Sequence, residues 1–164
     1  MTDDFPIIDT PPWHRPATED EIRRFMFMPG ATAADRRALD LDGWTLSFFR
    51  TSHALRPLTR LGLCKGFFTI HGSLFGDDDY FLARLSHSPT GYCIANFYDV
   101  GTAAFAAGVI AHMLDWATLT GAEGKATSGL FMDTMMGGGL RIYSEEIDGE
   151  RIPVWGLRIP EGRA

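Results

Sequence analysis

Apolar and polar side chains alternate with a period of two along Trp44–Arg50. Trp44, Leu46 and Phe48 fall on one side and Thr45 and Ser47 on the other, which predicts a half-buried strand. Gly66–His71 reads as a second strand, bounded by Gly72 and the acidic turn Gly76-Asp77-Asp78-Asp79. Two further β-rich runs, Tyr80–His87 and Tyr92–Tyr98, flank Ser88-Pro89-Thr90-Gly91. Proline presets the first turn position and glycine supplies a left-handed residue, so this segment predicts a bulged hairpin loop. Such a loop pairs Ser88 with Tyr92 and places His87 opposite Cys93, Leu85 opposite Ala95 and Ala83 opposite Phe97 on one apolar side. Ser86–Ile94, Arg84–Asn96 and Leu82–Tyr98 then share the mixed side. A closing hairpin is expected from Leu140–Ile147 and Glu150–Ile159, turned at Asp148-Gly149. Residues 52–65 carry no clear period and are expected as loop or a single helical turn.

Helical spacing appears elsewhere. Thr18 with Glu21 forms a capping-box signature ahead of Ile22, Phe25 and Met26, and Pro29-Gly30 closes that helix. Thr32 and Asp35 signal a second short helix. Asp99 is placed to cap a long helix running from Val100 to Leu119, with Phe105, Val109, Met113 and Trp116 as its core stripe and small Ala and Gly residues allowing close approach to a sheet. Thr120-Gly121 stops it, residues 121–128 read as a loop, and Ser128–Met136 reads as a short helix ended by Gly137-Gly138-Gly139. Pro6, Pro11, Pro12 and Pro16 impose extended backbone on residues 1–16. The fold class expected is α+β: an extended segment 1–16, then a single domain 17–164 in which one long helix packs across an antiparallel sheet with short flanking helices.

Composition agrees with a packed domain, since 45% hydrophobic and 22% charged residues in 164 exclude bulk disorder. The longest apolar run, Ala103–Leu114, is too short to cross a bilayer, and Cys64 and Cys93 are too few for a disulfide framework. A cytoplasmic location, with no membrane partner, is expected. The net charge of −6 is unevenly spread: residues 43–76 carry Arg50, Arg56, Arg60 and Lys65 without one carboxylate, between acidic flanks. That window is a candidate anion-binding patch, and its interleaved Phe48, Phe49, Phe67 and Phe68 are of the kind that stack bases, although the overall charge disfavours nucleic acid.

Motifs for catalysis are sparse. There is no GxSxG elbow, and a Cys–His pair could come only from His87 beside Cys93. Asp77, Asp78 and Asp79 are consecutive, so their side chains diverge in extended backbone, and the five histidines show no metal-ligand spacing. Gly137-Gly138-Gly139 follows a helix, the reverse of a phosphate loop. No cofactor is therefore expected. Met132, Met135 and Met136 with Phe131 form either core or an adaptable binding surface, the latter requiring an exposed apolar patch beside the glycines.

The run Leu85-Ser-His-Ser-Pro-Thr-Gly91, followed by an Ala-rich helix ending in Leu114-Asp115-Trp116, resembles a pattern in small uncharacterised bacterial, plasmid and phage-borne proteins. In these, an H-x-P-T-G hairpin turn leads into a strand and a helix closed by D-W. The resemblance covers about residues 80–117 and implies a mobile-element context, one form of which is the small, acidic, non-enzymatic inhibitor of host defence of the anti-CRISPR kind. It implies no catalytic residue. The leading expectation is a non-enzymatic protein that binds another protein, with Asp77–Asp79 or Glu145 and Glu146 presenting acid to a partner's nucleic-acid groove. Two alternatives stand beside it: a small-molecule or nucleotide-handling enzyme using Arg84, Asn96, Tyr98 and His71 on the mixed sheet face, and a homodimer joined through Trp155 and Leu157.

Overall fold

The computed structural model describes residues 14–25, 43–49, 60–72, 82–90, 92–147 and 149–157. The strands are β1 (His14–Pro16), β2 (Thr45–Phe49), β3 (Arg60–Lys65), β4 (Phe68–Gly72), β5 (Ala83–His87), β6 (Tyr92–Phe97), β7 (Arg141–Ile147) and β8 (Glu150–Gly156). Helices are α1 (Glu19–Phe25), α2 (Val100–Ile110), α3 (Gly121–Ala126) and α4 (Ser128–Gly137). The fold is α+β, with one sheet ordered β1-β2-β3-β4-β5-β6-β8-β7.

Every pairing is antiparallel except that of β6 with β8, which is parallel at Phe97 and Trp155. The parallel junction follows from the chain path. After β6 the chain makes its helices, returns as β7 on the sheet's outer side, and turns at Gly149 (φ +82°) so that β8 fills the slot between β7 and β6.

The helical layer corrects the expectation of a single long helix. α2 begins as read, with the Asp99 carboxylate accepting from the Thr102 amide at 2.7 Å, but it stops at Ile110 rather than Leu119. There Trp116 folds back: its indole N–H donates to the Ile110 carbonyl at 3.2 Å and satisfies a backbone acceptor that the helix end leaves open. The face that α2 buries is Thr102, Ala103, Ala106, Ala107 and Ile110, not a stripe through Phe105. Small side chains set the helix close to β4, β5 and β6, and Trp116 fills the remaining volume from the turn, edge-on to Phe68 and stacked on Phe131. Residues 121–126, expected as loop, form α3 under a complete capping box between Thr120 and Glu123.

α4 ends as the triple glycine indicates. Leu140 N–H reaches the Met135 carbonyl and Gly139 N–H the Met136 carbonyl, a Schellman closure that requires the left-handed Gly139 (φ +98°). Arg60–Lys65, also expected as loop, is the strand that joins β2 to β4. α1 carries the reciprocal Thr18–Glu21 bonds read from its sequence. The second short helix expected after Thr32 lies outside the described residues.

The main core lies between the sheet and α2–α4, built on Leu63, Phe68, Ile70, Leu85, Phe97, Ile110, Trp116, Phe131 and Trp155. A smaller cluster of Leu82, Ile147, Ile152 and Val154 occupies the reverse face at the β8 end, with Tyr98 against it.

Candidate functional site

The β5–β6 register holds as read for Ala83–Phe97, Arg84–Asn96 and Leu85–Ala95, then shifts by one residue. A bulge at Leu85/Ser86 places Ser86 opposite Cys93 and His87 opposite Tyr92, so the expected His87–Cys93 pair does not form. His87 instead points into the helix-side core. Its Nε2 lies 2.7 Å from the Trp116 carbonyl and its Nδ1 2.8 Å from the Thr90 hydroxyl. A proton on Nε2 donates to the carbonyl, which leaves Nδ1 to accept from Thr90, and the Thr90 oxygen in turn takes the Tyr92 amide at 3.1 Å. Burial drives the His87 pKa below its ordinary value, against the opposing pull of the Trp116 carbonyl. The histidine, threonine and tryptophan of the 80–117 pattern thus form a structural latch, and the D-W pair sits in the turn after the helix.

Neither cysteine is poised as a nucleophile. Burial pushes the Cys64 thiol up to about 12, against the weaker lowering by Thr69 and Ser47. Burial also raises the Cys93 thiol, with Arg84 pulling it down by a smaller amount. Among the described residues no three His, Cys, Asp or Glu side chains gather as a metal site, and no helix there is long and apolar enough to cross a membrane.

Across β3–β6 the reverse face of the sheet is largely polar, and much of it is buried. Cross-strand register aligns Thr45, Cys64, Thr69, Ser86 and Cys93 in one row, and His71, Arg84 and Asn96 in the next. Ser47, Thr69, His71, Ser86, Ser88 and Asn96 are all buried, and Thr69 hydrogen-bonds Ser88 through their hydroxyls. His71 Nδ1 lies 2.8 Å from the Gly72 carbonyl. Of the residues singled out on the mixed face, Arg84 and Asn96 stand directly opposite each other with His71 on Arg84's other side.

Among the described residues, the remaining candidates do not converge. Arg60 and Lys65 occupy opposite ends of β3, about 17 Å apart along the strand, and Lys65 is half-buried. Glu145 and Glu146 project from opposite faces of β7; Glu145 accepts the Tyr98 hydroxyl at 3.0 Å, and exposed Glu146 lies opposite Arg151. Arg50, Arg56, Asp77, Asp78 and Asp79 lie outside the described residues. Trp155, offered as a dimer contact, is buried in the main core.

The helical layer presents the other candidate surface. Phe131 and Met135 are buried, while Leu130 (49% exposed), Met132 (41%) and Met136 (41%) face outward. Phe105 of neighbouring α2 is 46% exposed. The two helices meet tightly, since a Cβ on Gly138 would stand 2.9 Å from a Val109 methyl, and Phe105 lies one turn from Val109. Sequence reasoning treated the methionine cluster as one unit; the 3.6-residue period divides it between core and surface.

No protein-family model, curated protein or solved structure matches the chain.

Proposed function

We propose that this is a non-enzymatic binding protein of the inhibitor type, which takes an amphipathic, basic helical segment of another protein onto α2 and α4. The observation carrying this reading is the pair of half-exposed methionines Met132 and Met136, one turn apart on the same face of α4, with half-exposed Phe105 on the adjacent α2. Single exposed apolar residues are ordinary, whereas a grouped set marks an interaction surface, and methionine adapts its shape to a partner. Charge specifies the partner's chemistry. Residues 99–139 carry Asp99, Asp115, Glu123 and Asp133 against Lys125 alone, so apolar anchors flanked by Lys or Arg complement the layer.

The test is fluorescence anisotropy with a labelled synthetic Leu/Lys amphipathic peptide, beside a Ser-for-Leu control of equal charge. Saturable binding of the Leu peptide, weakened by salt and by the Met132→Glu/Met136→Glu pair, supports the reading. Equal binding of both peptides, or binding indifferent to the Met changes, overturns it. So does concentration-dependent self-association through the same residues, which would make a second copy the occupant.

A further inference from the structure

In an antiparallel pair of strands, opposed residues alternate between those that exchange backbone hydrogen bonds and those whose N–H and C=O point the other way. The Trp155 carbonyl of β8 accepts from the Tyr98 amide at 3.1 Å on the β6 side, so Trp155 does not bond Ile142, its partner on β7. Pro153, which has no N–H, stands opposite Ser144 in the same phase. The N–H and C=O groups of Ile142, Ser144 and Glu146 therefore point away from β8, and no strand among the described residues pairs with them. Arg141, Ser144 and Glu146 carry exposed side chains along this row. Such a row is a template for a further strand.

We propose that β7 pairs antiparallel with β7 of a second copy of this chain, with Tyr143 on the two-fold axis. The charges of the strand select this occupant and this register. Tyr143 and Glu145 stand opposite Val154 and Ile152 of the reverse-face cluster, so by alternation Arg141, Tyr143 and Glu145 share that face. With Tyr143 opposite its own copy, each Arg141 lies opposite the other chain's Glu145, and Ile142 exchanges backbone bonds with Ser144. The charged pairs fall at the positions without backbone bonds, where side chains stand closest. Glu145 accepts the Tyr98 hydroxyl at 3.0 Å, and a carboxylate takes more than one donor. A slip of one residue turns the two faces against each other. A slip of two sets Tyr143 opposite Glu145 or Arg141 and loses both charged pairs, and parallel pairing in register stacks like on like. This edge is separate from the helical layer, so dimerisation does not depend on Met132 and Met136.

The experiment is sedimentation velocity of the full chain from micromolar to millimolar concentration, with hydrogen exchange at both ends of the range. A monomer–dimer equilibrium is expected, and the Ile142, Ser144 and Glu146 amides, fast in dilute protein, should slow as the dimer fills. Arg141→Glu leaves acid at both positions and Glu145→Arg leaves base at both, so each variant alone should dimerise about tenfold or more weakly. Mixed in equal amounts the two variants complement each other, and dimer should return. Ser144→Pro removes an outward N–H without touching the bonds to β8 and should abolish dimer while the chain stays folded by circular dichroism. The proposal is overturned if wild type stays monomeric throughout, or if the mixed variants form no more dimer than either alone. It is equally overturned if dimer survives in folded Ser144→Pro, or is lost in Met132→Glu/Met136→Glu, which would place the contact on the helices.

Discussion

His87 shows how one side chain joins two distant parts of the chain. Its ring ties the β5–β6 turn, through Thr90, to the carbonyl of Trp116. Replacing it with Ala removes both bonds and opens a cavity beside Trp116, for an expected loss of about 3 kcal/mol in urea denaturation. Protonation attacks the same latch. The folded-state pKa lies below the ordinary 6.5 because burial disfavours the imidazolium, so below that value the unfolded chain binds more protons than the folded one. The contribution is complete above about pH 6.5 and is lost as pH falls through the folded-state value. Denaturation midpoints between pH 7.5 and 5 should therefore fall more steeply for wild type than for His87→Asn; parallel curves would remove His87 as the cause. The identity of the pattern residues was plain in the sequence. Their role was not, because a one-residue bulge decides whether His87 meets a thiol or a tryptophan.

At the scale of elements, the end of α4 separates three consecutive glycines into three different demands. Gly137 is helical with open space where a Cβ would stand, Gly138 touches Val109, and Gly139 is left-handed. Gly137→Ala should stabilise by a few tenths to about 1 kcal/mol through helix propensity. Gly139→Ala should destabilise by about 1 kcal/mol, since an L side chain is strained in the left-handed region. Gly138→Ala should also destabilise, because the methyls of a β-branched Val109 cannot swing away freely. Thermal melts of the three variants check the order 137 above wild type, with 138 and 139 below it. At the other helix ends, Thr18–Glu21 and Asp99 were legible caps. Thr120–Glu123 carried the same capping signature as Thr18–Glu21, but adjacent glycine and alanine made the segment read as loop.

At the scale of the whole molecule, the described sheet is anchored in its middle and ends at β7. β4, β5 and β6 lie beneath α2, whereas β7 is the last strand of the described sheet and pairs there with β8. Hydrogen exchange should find the slowest amides in β4–β6 and α2, and fast exchange at the β7 amides that face away from β8. Trp155 joins this hairpin to the main core, so Trp155→Ala should cost about 3–5 kcal/mol and selectively accelerate exchange in β7 and β8. Uniform acceleration instead would mean that the hairpin and the central strands open as one unit.

By itself, the sequence determined what depends on neighbours a few residues apart. Alternation placed β2, β4, β5 and β6, capping chemistry placed α1 and the start of α2, and Asp148-Gly149 placed the closing turn. It also set the Arg84–Asn96 pair opposite each other, because hairpin register is a local property until a bulge intervenes. Tertiary structure alone decided the rest. β3 exists because β2 and β4 supply both its edges; α2 stops at Ile110, where the Trp116 indole from the following turn donates to the helix-end carbonyl. The polar rows of the reverse face read as an ordinary mixed strand surface in sequence. Their burial is a property of the folded molecule, and local spacing carries no record of it.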